Sequence, residues 1–183
     1  RADPPASGLV VVLGPVVRIG LWRALIEGLG GPQGPIDGLK HVAVELGDGR
    51  RDQQVWGMLR SGPLRDCMSS FDRLDRIRDL LTDASVVVRP ESRTAVRSIE
   101  IQAILQGATL VASESNWRGD DGSDSGARLI AAEDLYEPKA WRAAVESSLR
   151  EIPTTAERQA AEASLVSVVA PRWHQPLDTV LHG

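Results

Sequence analysis

Cysteine, lysine and aromatic side chains are all scarce in this 183-residue chain. The single cysteine, Cys67, excludes an internal disulfide and a Cys-based zinc site, and it points to a reducing, cytoplasmic compartment. Five Trp, one Tyr and one Phe are too few for an aromatic-rich β-sandwich. No apolar run reaches the ~20 residues of a membrane span, and no signal-like segment opens the chain. Lys and Arg together number 21 against 25 Asp and Glu, a net charge of -4 that gives no general attraction to nucleic acid or anionic lipid. Any anion site must therefore be local. His41, His174 and His182 show no metal-ligand spacing, so neither a metal nor a cofactor is expected. There is no GxSxG nucleophile elbow, and Cys67 has no identifiable catalytic partner.

What is present is an alternation of short apolar runs with amphipathic stretches. The opening RADPPASG starts at Arg1 and reads as a linker over residues 1–7, with one folded domain over residues 8–183. GLVVVLG (8–14) has the signature of a strand buried on both faces. In IGLWRALIEGLGG, Leu21, Ala24, Leu25 and Leu29 recur with helical spacing, and Gly30 and Gly31 supply a stop. HVAVEL (41–46) closes a βαβ unit and is broken by GDGRRD. QVWGMLR is weakly helical and PLRDCMSS weakly strand-like. In FDRLDRIRDLLTD, Asp72 can cap a helix whose apolar face is Leu74, Ile77, Leu80 and Leu81.

ASVVVRP follows as another buried strand, then SIEIQAILQG as a helix that ends at Gly107, then ATLVAS and ARLIA as two strands separated by ESNWRGDDGSDSG. Pro138 suits the first turn of a helix with Trp141, Ala144, Val145 and Leu149 on one stripe. Thr154 and Glu157 have capping-box spacing for a further helix, and PRWHQPLDTVLHG suits a last short one. The expected architecture is an α/β, Rossmann-like, doubly wound parallel sheet with C-terminal helices.

Ligands of such sheets bind beyond the carboxyl ends of the strands. RPESRTAVRSIE lies there, carrying Arg89, Glu91, Arg93, Arg97, Ser98 and Glu100 at the start of a helix whose amides and dipole can hold a phosphate. Glu100 is suited either to ribose hydroxyls or to stabilising that helix terminus. Arg18, in GPVVRIG, projects from the same end of the sheet. Asp48, Arg50 and Arg51 share this rim, although a glycine-rich charged turn is more often simply a turn. Trp22, Trp56 and Trp141 have core spacing, whereas Trp117 lies in a polar loop where an aromatic can meet a base or act as packing.

Taken together, LLTDASVVVRPESRTAVRSIEIQAILQGATLVASE, ARLIAAED and EPKAW resemble the C-terminal domain of GT-B glycosyltransferases of the family 4 type. Glu100 stands at the second glutamate of that family's Glu-x7-Glu motif, with Ile101, Gln102 and Gly107 in register and Val111, Ala112 and Ser113 matching the next strand's end. GLVVVLGPVVRIGLWRALIEGL, HVAVELGDG and PRWHQPLDTVL resemble the family's first strand and helix, second strand and turn, and closing Trp-containing helix.

Two positions depart from the pattern. Ser92 stands where the first motif glutamate belongs, with Glu91 one residue too far, and Gly14 is followed by Pro15 instead of arginine. A shortened loop of this kind is similar to that of bacterial rhamnosyltransferases, with Ser98-Ile99-Glu100 in place of Pro-Leu-Glu. The resemblance implies a bacterial, metal-independent domain of polysaccharide biosynthesis that binds a nucleoside-diphosphate sugar. It places Glu100 on the ribose and the amides of Thr94, Ala95 and Val96, helped by Arg18 or Arg93, on the diphosphate, with Gly14 and Ser98 also among the nucleotide-binding residues.

An N-terminal GT-B domain, in cis or in trans, is the implied partner. It would carry the catalytic residues, the glycan or lipid-linked acceptor and any peripheral contact with the inner face of the plasma membrane. The alternative implied by the two departures is a degenerate, non-catalytic binding or assembly module.

Overall fold

A computed structural model describes residues 8–32, 34–71, 77–91, 98–113 and 127–151. Six parallel strands form its sheet: β1 (Leu9–Val12), β2 (His41–Glu45), β3 (Met68–Phe71), β4 (Ala84–Arg89), β5 (Thr109–Ser113) and β6 (Ala127–Ile130). Their spatial order is β3-β2-β1-β4-β5-β6, so the winding reverses between β1 and β4. The helices are α1 (Ile19–Gly30), α2 (Arg50–Ser61), α3 (Ile77–Asp83), α4 (Ser98–Leu105) and α5 (Pro138–Arg150).

The near-continuous apolar strands are explained by the two layers that cover them. On one face Val10, Val12, Val42, Val44, Val86, Val88 and Val111 pack beneath α1, α2 and α5, with Trp22 and Trp141 filling the space between. On the other face Val11, Ala43, Val87, Leu110 and Ala112 lie beneath α3 and α4, where Leu81, Ala103 and Ile104 reach in. A strand that must be apolar on both sides cannot alternate, which is why runs such as LVVV mark its position.

The helical stops also follow from residue type. Gly31 ends α1 at φ 55, where a side chain would be strained, and its amide donates to the Glu27 carbonyl. Gly107 has φ 96 after α4. Pro138 opens α5, and Trp141 and Val145 are completely buried on its stripe, with Ala144 and Leu149 packed beside them. The weak helical signal of QVWGMLR belongs to α2, a full 12-residue helix that buries only Val55 and Leu59. PLRDCMSS resolves differently from its strand reading. Residues 63–66 are turn, and only Met68–Phe71 pair, at the sheet edge, where half-burial produces little apolar pattern. The Asp72 cap and Leu74, Trp117 with its loop, Thr154, Glu157 and the closing Trp-containing segment lie outside the described residues.

Candidate functional site

The winding reverses between β1 and β4, and ligands of this fold class bind at such a reversal, in the crevice beyond the carboxyl edge of the sheet. Its floor is unusually polar for so deep a position. Glu45, Arg89, Glu91 and Ser113, each at or just past a strand end, are 4, 2, 3 and 0% exposed. Buried charge survives only with partners, and the two carboxylates have them.

Glu45 ends β2 and accepts the Gly14 amide on Oε2 at 2.9 Å. A Cβ at Gly14 would come within 3.0 Å of the Glu45 carbonyl oxygen, so the close approach of the two chains favours glycine. The chain continues through a cis Gly14–Pro15 peptide to α1, whose capping position, Arg18, offers no side-chain cap of its own.

The turn just ahead of the helix is held by Glu91. Its Oε1 accepts the Val17 amide at 3.0 Å, the Arg18 amide at 2.7 Å and the Trp22 indole N–H at 3.1 Å. Its Oε2 accepts Arg18 Nε at 2.9 Å. The Arg18 side chain is 36% exposed and that of Glu91 only 4%, so the pair joins a partly exposed cation to a buried anion. These are charge-assisted bonds to an anion at the positive end of a helix. A buried glutamate from beyond β4 thus stitches the β1–α1 turn to the β4–α4 connection.

Of the residues expected at the donor, the Gly14 amide is directed at Glu45, and the Arg18 amide and Nε are directed at Glu91. Arg89 and Glu91 are buried, and Trp22 adds a hydrogen bond to its packing role. Ser98 and Glu100 lie on the first turn of α4, beyond the carboxyl end of β4 as expected, although their side chains are outside the description. Arg93, Thr94, Ala95, Val96 and Arg97 lie outside the described residues altogether. The GDGRRD loop is a turn: Asp52, in the first turn of α2, accepts the Gly47 amide at 3.1 Å, and Arg50 and Arg51 are exposed.

Sequence reasoning missed both buried glutamates as partners. Glu45 carried a signal, since a carboxylate inside the apolar run HVAVEL must be buried and bonded. Glu91 carried none, because its donors lie about seventy residues earlier in the chain.

Elsewhere, a groove of about 670 Å³ runs between the outer side of α1, the α2–β3 turn and the start of α5, with Ile26, Met58, Pro63 and Pro138 in its walls and Arg23 and Lys139 opposed by Glu27 and Glu137. It lies on the outer side of the helical layer, away from the strand ends. His41 Nε2 and Ser69 Oγ are 2.8 Å apart across β2 and β3. Cys67 donates to the Leu64 carbonyl, and burial, followed by the nearby Asp66 charge, pushes its thiol pKa up. Among the described residues no cluster of His, Cys, Asp or Glu could hold a metal ion, and no helix is long and apolar enough to cross a membrane.

No family model matches the sequence, and no curated protein matches it. Solved structures do. The pneumococcal O-GlcNAc transferase GtfA, in complex with UDP and GlcNAc, matches 100% of this chain with 37% of its own at a TM-score of 0.67 and 14% identity. WaaG, a glycosyltransferase involved in lipopolysaccharide biosynthesis, matches 100% with 48% of its own at 0.65 and 16% identity. Sucrose-phosphate synthase from Thermosynechococcus elongatus matches 96% with 46% of its own at 0.67 and 16% identity. The chain therefore spans between about a third and a half of these proteins' length. Its fold is the Rossmann-like α/β fold of one half of a GT-B glycosyltransferase.

Proposed function

We propose that this chain is the donor-binding half of a GT-B glycosyltransferase, holding a nucleoside-diphosphate sugar for transfer to a glycan or lipid-linked acceptor. The observation that carries the reading is the match of the whole chain to one half of GT-B enzymes, among them one in complex with UDP and GlcNAc, together with the crevice at the β1/β4 reversal where this fold class takes its ligands.

The donor's contacts are assigned to the side of the crevice beyond β4. Glu100 and Ser98 on the first turn of α4 serve the ribose, and the amides of Thr94, Ala95 and Val96 with Arg93 serve the diphosphate. Catalysis in such a half consists of orienting the donor and stabilising the departing diphosphate, while a second domain presents the acceptor. A hexosyl or rhamnosyl donor of the family 4 type, a bacterial cytoplasmic setting with peripheral membrane contact through the second domain, and action without a metal belong to the same proposal.

Saturation-transfer NMR with UDP-, GDP- and dTDP-sugars tests it, with signal expected from at least one base and loss of affinity in Glu100→Ala by isothermal titration. Silence from every nucleotide would sink the donor reading in favour of a binding or assembly module. Equal affinity of Glu100→Ala and parent would sink the ribose assignment alone.

A further inference from the structure

We infer that Glu91 is a resident anion: its carboxylate occupies the anion position in the β1–α1 turn, so a phosphorylated ligand is kept off the amides of Val17 and Arg18. The inference deepens the donor-binding reading and rests on it only for the identity of that ligand.

In a doubly wound sheet the helix that follows β1 presents free amides and the positive end of its dipole to the crevice, and an anionic ligand group is the usual occupant. Here the amides of Val17 and Arg18, in the turn just ahead of α1, are taken from within. Glu91 is 97% buried by relative area, since only 3% is exposed, and its oxygens receive the amides of Val17 and Arg18, the Nε of Arg18 and the indole N–H of Trp22. The set of backbone amides, guanidinium and a ring N–H around one anion is what a phosphate oxygen would meet in the same place.

Three further features make the occupancy permanent. The glutamate follows β4 and the buried Pro90, so it is anchored to the sheet itself. As part of the same molecule it competes with free anions at a high effective concentration. The neighbouring amide, that of Gly14, is taken by a second buried carboxylate, Glu45, so a dianion entering the turn would meet two negative charges at close range. Glu91 is therefore a specificity-determining residue that acts by exclusion.

The test is pyrophosphate titration of the 15N-labelled full chain, reading the amides of Val17 and Arg18 and the indole peak of Trp22, assigned with Trp22→Phe. In the parent these three signals stay fixed at saturating pyrophosphate. In Glu91→Ala they move together and titrate, with affinity at this position at least about tenfold above the parent. Movement of the three signals in the parent overturns the inference, and that arm needs no variant to fold. A folded Glu91→Ala chain whose signals ignore pyrophosphate overturns it as well.

The two readings fail separately. If a nucleotide sugar moves Val17 and Arg18 in the parent, the exclusion falls and donor binding stands. If no nucleotide sugar binds anywhere while Glu91→Ala gains pyrophosphate, the donor reading falls and the exclusion stands.

Discussion

Helices α1 and α2 are each 12 residues long and lie on the same side of the sheet, yet one is built into the core and the other rests on it. In α1 eight residues are buried, and its start is held by Glu91 from a distant connection. In α2 only Val55 and Leu59 are buried, and Asp52 in its first turn reaches back only to the nearby Gly47 amide. The difference follows from position. The α1 helix connects β1 to β2 at the middle of the sheet and packs beside α5, whereas α2 leads to the edge strand β3. A central helix supplies the rigidity that a ligand crevice needs, and a peripheral one can vary.

The contrast can be broken most severely at the α1–α5 contact. Trp141 is fully buried and its indole N–H donates to the Leu135 carbonyl at 2.8 Å. Trp141→Ala should cost about 3–5 kcal/mol in urea unfolding, and a loss under about 1 kcal/mol would mean that α5 does not brace α1. Next in size, Glu91→Ala leaves buried donors at the start of α1 without their acceptor and should cost about 2–3 kcal/mol by the same measurement, with Glu91→Gln recovering part of the loss.

Two glycine replacements then give opposite signs. A Cβ at Gly28 in α1 would lie 2.5 Å from the Pro138 carbonyl oxygen, so Gly28→Ala should destabilise by about 1–3 kcal/mol despite alanine's better helix propensity. At Gly57 in α2 nothing lies within 4 Å, and Gly57→Ala should stabilise by about 0.5–1 kcal/mol. Equal signs in thermal or chemical melts would erase the proposed distinction between the two helices. The smallest effect belongs to the turn after α2. Burial and then Asp66 raise the Cys67 thiol pKa, so its thiolate is scarce at neutral pH and reaction with a disulfide reagent should be slow. Asp66→Asn removes the lesser cause and should speed the reaction modestly, and no change would assign the whole shift to burial.

The same contrast explains what could be read before any coordinates. The helix α1 was legible because Leu21, Ala24, Leu25 and Leu29 all face one surface, and α5 because Trp141 and Val145 do. The helix α2 was faint because two buried residues in 12 leave almost no period. Strand β3 was faint because MSSF at a sheet edge has no fully buried position. At the crevice, local signals located Arg18, Ser98 and Glu100 on loops or first turns beyond strand ends, but no local signal distinguishes a glutamate that solvates itself from one that crosses to another loop. Glu91 lies 73 residues from Arg18 in the chain, and such a contact is created only when β4 is laid beside β1.

Scarcity of cysteine, lysine and aromatics described the chain by what it could not be, and its runs of valine settled a parallel sheet, since only a strand covered on both faces can be apolar at every position. Residue order alone thus determined the fold class, the helix stops at Gly31 and Gly107, and the edge of the sheet on which a ligand site must lie. The tertiary structure decided which polar groups at that edge face a ligand and which face each other. That choice depends on burial, because a carboxylate withdrawn from water must collect donors wherever the fold brings them, and here Glu91 collected the amides of Val17 and Arg18 and the Arg18 side chain.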